Sequence, residues 1–161
     1  MSGALDRFTE AARALGVQPQ VRRFPEGTKT AVDAANAIGC DVGQIVKSLV
    51  FIAEEQPVLA LTSGSNRVDE GRLAAVAGAG SARRATPEEA RRATGFAVGG
   101  TPPFGHVAGA EQRLTAFVDP GLLAFDVVWA AAGTPDTVFP LAPEDLVRLS
   151  SGTVAAFAHP V

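Results

Sequence analysis

The period of apolar positions changes several times along the chain, and each change marks an element. Leu5, Phe8, Ala12 and Leu15 recur in steps of three and four. That spacing is one face of a helix and predicts one over residues 3–15, ended by Gly16. Residues 21–25 read as a short strand. Thr30 is placed to N-cap a second helix, with Asp33 three residues on, where a carboxylate suits a helix N-terminus. This helix runs through the Ala-rich 31–38 and stops at Gly39. Asp41 and Gln44 have the spacing of a capping box for one short turn. Ile45 to Ala53 (IVKSLVFIA) is β-branched and apolar apart from Lys47 and Ser48, the pattern of a strand buried on both faces.

Residues 54–57 read as a hairpin-like link to a strand at 58–62. A polar loop at 63–67 comes next, then a helix capped by Asp69 through Val76. Residues 81–85 form a short strand. Thr86-Pro87-Glu88-Glu89 is a helix start, with a Thr cap, Pro at the first position and Glu at the third; Gly95 ends it. Further strands are expected at 96–98, 113–118, 127–132, 138–141 and 153–158, with turns at 119–121 and 133–136 and a helix from Pro143 to Leu149. Short strands and helices alternate without a regular βαβ rhythm. The expected fold is therefore mixed α/β (α+β): a single domain over 1–161, with a curved mixed sheet flanked by short helices.

Composition narrows the classes. With 47% apolar and 19% charged residues, the 161-residue chain is globular rather than disordered. The single Cys40 excludes an intramolecular disulfide and a cysteine-cluster metal site. No apolar run approaches the roughly 20 residues of a membrane helix. Asp6, Arg7 and Glu10 are incompatible with a signal peptide, so the cytoplasm is the expected location. The net charge of −3 argues against a broad nucleic-acid-binding face and against DNA as a partner. Arg83, Arg84, Arg91 and Arg92 form the densest basic cluster. It reads either as a solvated surface compensated by Glu88 and Glu89 or as a phosphate contact.

Two places could carry chemistry. Only two of the 14 basic residues are lysines, Lys29 and Lys47, and Lys47 lies in the most apolar stretch. An ammonium there needs partners or a cleft, unless it snorkels from a strand end to water. The loop Gly99-Gly100-Thr101-Pro102-Pro103-Phe104-Gly105 is the second. Its glycines let a ligand approach the main chain and its prolines stiffen the residues after them, although a tight strand connection would look the same. The loop lacks the third glycine and the following helix of a dinucleotide fingerprint and the GK[ST] ending of a P-loop. His106 and His159 have no metal-ligand spacing. Cys40 reads as a small buried residue, and the serines lack a nucleophile-elbow context.

Taken in order, several segments resemble one family: Thr28-Lys29-Thr30-Ala31, Gln44-Ile45-Val46-Lys47-Ser48-Leu49-Val50-Phe51, Gly64-Ser65-Asn66-Arg67, residues 94–105, and Trp129-Ala130-Ala131-Ala132-Gly133. The family is the YbaK/ProX/EbsC family of free-standing aminoacyl-tRNA deacylases, which are similar to the editing domain of bacterial prolyl-tRNA synthetases. The likeness extends from about residue 20 to residue 158. It implies an editing-domain fold and hydrolysis of the ester between a wrong amino acid and the 3′-terminal adenosine of a tRNA, with no cofactor or metal. A second sieve of this kind is needed because binding separates side chains differing by a methylene by only about 1–3 kcal/mol. The resemblance assigns catalysis to Lys47, Gly99, Gly100, Thr101 and Pro103. Lys47 would hold the ester near the terminal adenosine or its phosphate, and the loop backbone would hold the carbonyl or the attacking water. In some members the substrate's own groups assist the water. Substrate binding falls to Thr30, Ser48, Phe51, Ser63, Asn66, Arg67, Phe104, His106, Ala131, Ala132 and Gly133. Some members carry Ser or His within the segment matching 129–133. Here it holds alanines, and a pocket of Ala131, Ala132 and Phe51 suits alanine, serine or cysteine, with tRNA-Pro one carrier. The expected partners are mischarged tRNA and an aminoacyl-tRNA synthetase. The alternative is a non-catalytic module of the same fold that binds a tRNA end, a nucleotide or a synthetase.

Overall fold

The computed structural model describes residues 3–24, 30–106 and 114–161. The helices are α1 (Ala4–Ala14), α2 (Ala31–Ile38), α3 (Glu70–Val76), α4 (Pro87–Thr94) and α5 (Pro143–Ser150). The strands are β1 (Arg22–Arg23), β2 (Val46–Ala53), β3 (Gln56–Ser63), β4 (Asn66–Val68), β5 (Ala82–Arg84), β6 (Thr115–Val118), β7 (Val128–Ala131), β8 (Thr137–Leu141), β9 (Thr153–Val154) and β10 (Ala158–Pro160). Caps read from sequence are present. Thr30 accepts the Asp33 N–H, Asp41 with Gln44 and Thr86 with Glu89 close capping boxes, and Gly39 and Gly95 end their helices in left-handed geometry.

The fold is mixed α/β, and its strands are divided. Five form a mixed sheet in the order β5-β2-β3-β6-β9, three form β1-β8-β7, and β10 pairs with β4. β2 is antiparallel to β3 and β5, whereas β3-β6 and β6-β9 are parallel. Strand alternation along β2 feeds two cores, as its apolar run predicts. Val46 and Val50 join Phe8, Leu59, Leu61, Phe104 and Phe139 under α1, α4 and the β7-β8 hairpin, while Phe51 and Ala53 join Leu73, Phe117 and Phe157.

Several boundaries differ from the sequence reading. Residues 54–57 are not a four-residue link. β3 begins at Gln56, and Glu54 and Glu55 make a two-residue hairpin with φ of 46° and 73°. Such turns favour Asn-Gly, so Glu-Glu gives no signal. Glu54 offsets part of the strain by accepting the Gly80 N–H at 2.6 Å. Residues 96–98 form a turn rather than a strand, since Phe96 is drawn into the core and its backbone bonds to Thr94 Oγ1. The segment 153–158 breaks into β9 and β10, which belong to different sheets. Pro25 and Arg113, expected at strand ends, lie outside the described residues.

The glycine-proline loop is fixed by close backbone packing. A Cβ on Gly100 would lie 2.8 Å from Thr134 Cα and 2.9 Å from Gly133 O, and one on Gly133 would lie 2.7 Å from Ala4 O. α1, the β7-β8 turn and the loop are thus stacked main chain on main chain. Phe8 closes the stack from below, with ring centroids 5.3 Å from Phe104 and 5.0 Å from Phe139. Arg7 adds a hydrogen bond to Gly95 O at 2.8 Å.

Gly100→Ala must push backbone apart and is expected to destabilise by about 1–3 kcal/mol. Gly71→Ala, within α3 and with its nearest foreign atom 3.4 Å from the new Cβ, is expected to stabilise by up to about 1 kcal/mol. Urea unfolding midpoints of the two variants check the contrast; equal midpoints would remove the packing account.

Candidate functional site

A cavity of about 530 Å³ opens beside β2. Its floor is Ile45 to Val50. One wall is Thr30, Ala31 and Ala34 of α2 with Trp129, Ala130 and Ala131 of β7, and the other is Arg84, Pro87 and Ala90 with Val98, Gly99 and Thr101. The opening is a result of strand pairing. β2 meets β5 only from Phe51 to Ala53, and at its other end Ile45 makes a single bridge to Trp129. Between them this edge of β2 has no strand partner among the described residues. Val50 O, which accepts the Ala85 N–H at 3.0 Å, points toward that side. By the alternation of an antiparallel ladder, the N–H and C=O of Ser48 face the same way, into the cavity.

Ser48 marks the floor further. Its Oγ is buried and is the one such side-chain oxygen or nitrogen without a hydrogen-bond partner among the described residues. A buried hydroxyl left unpaired costs about 1–3 kcal/mol, so a bound group that engages it gains by that amount.

Lys47 is half-buried. Its ammonium donates to the backbone carbonyl of Asn66. Burial first, then the charges of Arg67 and Arg84, push its pKa below the ordinary lysine value, and Asp119 opposes them. Asp119 organises this corner. It is 3% exposed and accepts the Ser63 N–H at 3.0 Å, the Asn66 side-chain amide at 2.8 Å and the Gly121 N–H at 2.9 Å. It therefore sets the Ser63–Asn66 turn whose carbonyl tethers Lys47.

Of the residues singled out from sequence, Lys47, Ser48, Thr30, Gly99, Thr101 and Ala131 meet on the cavity. Thr30 Oγ1 already accepts the Asp33 N–H at 3.0 Å. The others stand behind or beside it. Gly100 is buried against the Gly133–Thr134 turn and gives its N–H to Ala97 O at 3.0 Å, so it is not a free donor toward a ligand. Gly99, at φ 90°, is exposed, and neither its N–H nor that of Thr101 has a backbone partner among the described residues. Pro103 and Phe104 are core, the latter packed on Phe8. Phe51 faces the second core, under Arg84, whose guanidinium lies 5.8 Å from its ring. Ala132 and Gly133 are buried in the hairpin turn. Ser63 Oγ is held by Gly43 O at 2.8 Å. His106 is bonded to Pro102 O at 2.8 Å, and burial lowers its pKa. Asn66 accepts from the Lys47 ammonium through its carbonyl, and the charge of Arg67 acts on the same lysine. The Thr28-Lys29 pair lies outside the described residues.

Arg84, Ala31, Ala34 and Ala130 line the cavity without having been singled out for it. Arg84 was legible only as part of the basic cluster, because its register against Phe51 is a tertiary fact. Asp119 read as a turn residue; its burial beneath Lys47 has no local signal. Among the described residues no group of three metal-ligating side chains converges, and no helix is long and apolar enough to cross a membrane.

Comparison with known proteins agrees with this fold. A crystal structure presented as a candidate trans-editing enzyme for prolyl tRNA synthetase superposes with a TM-score of 0.89 and 42% identity, covering 99% of each chain. The uncharacterized protein YwhH of Bacillus subtilis is 30% identical over 135 residues, 83% of either chain. A proline–tRNA ligase of Lactiplantibacillus plantarum is 36% identical over 77 residues, which are 48% of this chain and 14% of the ligase. The family model of the aminoacyl-tRNA editing domain matches residues 25–149, and the chain belongs to that family.

Proposed function

We propose that the chain is one free-standing editing domain that hydrolyses the ester of a mischarged aminoacyl-tRNA. The observation that carries this reading is the convergence, on one cavity, of a desolvated lysine, an unpaired buried hydroxyl and the exposed main chain of a rigid loop. The volume lies within the range of roughly 300–1,000 Å³ usual for ligand sites and accommodates a nucleoside with a small acyl group.

In this reading the terminal adenosine and its ester lie along the open edge of β2. Lys47 fixes the ester end, Ser48 Oγ and N–H hold a hydroxyl or the carbonyl, and the Gly99 and Thr101 N–H groups stabilise the oxyanion as water adds. The carbon–oxygen bond to the ribose then breaks, releasing free amino acid and tRNA hydroxyl. Among the described residues the lining holds no carboxylate and no imidazole. The attacking water therefore depends on the substrate's own amino or ribose hydroxyl group. The methyl walls of Ala31, Ala34, Ala130 and Ala131 favour alanine, serine or cysteine over larger side chains. The same lack of an acid–base group supports a second reading, a non-catalytic module that binds a tRNA end, a nucleotide or a synthetase.

A panel of mischarged tRNAs separates the two. Faster release than in buffer for at least one small amino acid supports hydrolysis; tight binding with no turnover supports the binding module. Lys47→Ala is expected to lower the catalysed rate by about 10²-fold, the scale of losing one charge-stabilising donor, with far-UV circular dichroism unchanged. Lys47 also sets a pH limb. Its folded-state pKa is depressed, so the ammonium is lost below the ordinary lysine range and the catalysed rate falls as pH rises through that lowered value. Asp119→Asn removes a negative charge that opposes this depression and should move the limb to lower pH. An unmoved limb would show that Lys47 does not act as an ammonium.

A further inference from the structure

We infer that Arg84 and Arg67 form, beside Lys47, a cradle for a backbone phosphodiester of an RNA 3′ end, the phosphate adjoining the nucleoside held in the cavity. The inference rests on the reading of the cavity as a tRNA-end site and adds the strand's path out of it.

The structure sorts the basic cluster. Arg83 is clamped by Glu89 through two bonds of 2.8 and 2.9 Å, and Arg92 pairs with Glu88 at 3.1 Å. Arg83, with the Thr86 N–H, holds the Glu89 carboxyl down to about 2. These two arginines are the solvated, compensated surface. Arg84 is different. It lines the cavity, is exposed, rests on the Phe51 ring and makes no ion pair among the described residues. Arg67 is equally exposed and, among the same residues, without an ion pair; it comes directly after Asn66, whose carbonyl holds the Lys47 ammonium.

Lys47 and Arg84 thus line one cavity, and Arg67, next to the residue that holds the Lys47 ammonium, adds its charge to the same corner of a chain whose net charge is −3. The carboxylate acting on this group, Asp119, is buried and already accepts three hydrogen bonds. Among the described residues neither guanidinium has an ion-pair carboxylate, and both depress the neighbouring lysine. An anion at the rim removes that repulsion. A guanidinium fork matches two phosphate oxygens, and its exposed position suits a strand that leaves the cavity for solvent.

Binding of a fluorescent single-stranded RNA ending in CCA is measured against salt for wild type, Arg84→Met, Arg67→Met, and Arg13→Met as an exposed control on α1 that does not line the cavity. Each phosphate contact on a single strand contributes about 0.7 to the slope of log K against log salt. The cradle holds one phosphate, so it predicts a slope reduced in each rim variant, by about 0.7 when both arginines are replaced, and unchanged in the control. Slopes equal to wild type, or no binding by wild type, overturn it. Competition by inorganic phosphate or free adenosine monophosphate as effective as by the RNA also overturns it, because the site would then take a free anion. The two readings separate cleanly. Hydrolysis by wild type with unaltered rim slopes removes the cradle and keeps the deacylase; lost slopes without hydrolysis do the reverse.

Discussion

Everything at the site depends on how closely three stretches of main chain approach at Gly100. With no Cβ there or at Gly133, the loop lies directly on the β7-β8 turn and the turn on the start of α1. A side chain at either position would force the stack open. The N–H groups of Gly99 and Thr101 would then shift away from Ser48 and Lys47 on the facing strand. Interiors packed to crystal-like density transmit such a displacement rather than absorb it. Phe8 and Phe104 therefore support the site although neither touches the cavity.

The electrostatics of the site are equally indirect. Lys47 is costly in an apolar strand, and among the described residues no carboxylate pairs with its ammonium to offset that cost. The nearby carboxylate of Asp119 works through a turn. By fixing Ser63 and Asn66 it places a carbonyl, not a charge, against the lysine. A carbonyl orients an ammonium without quenching it, which leaves the charge available to a ligand. A direct Lys–Asp ion pair would stabilise the corner more and bind less.

Local signals were legible wherever the physics is local. The caps at Thr30, Asp41, Asp69 and Thr86, the helix-ending Gly39 and Gly95, and the two-faced burial of β2 all rest on interactions within a few residues. Sequence also paired Lys47 and Ser48 with the loop, because the order of the motifs resembled a family. It did not separate residues that line the cavity from those that support it. Phe51 and Lys47 share a face of β2, yet Phe51 packs into the second core under Arg84 while Lys47 lines the cavity, and alternation does not tell the two apart. Arg84 and Asp119 acquire their places from strand register and from the parallel β3-β6 pairing, both long-range facts.

That parallel pairing has a kinetic consequence. Val58 registers with Thr115 and Leu61 with Val118, partners far apart in the chain, so the sheet beneath the site closes only after a long loop has been ordered. The cavity draws on α2, β2, β5, α4 and β7, and no single hairpin contains it. Such non-local topology slows folding, and the site forms only when these separate segments have come together. A ligand that recognises the site binds only the finished fold and stabilises it by mass action.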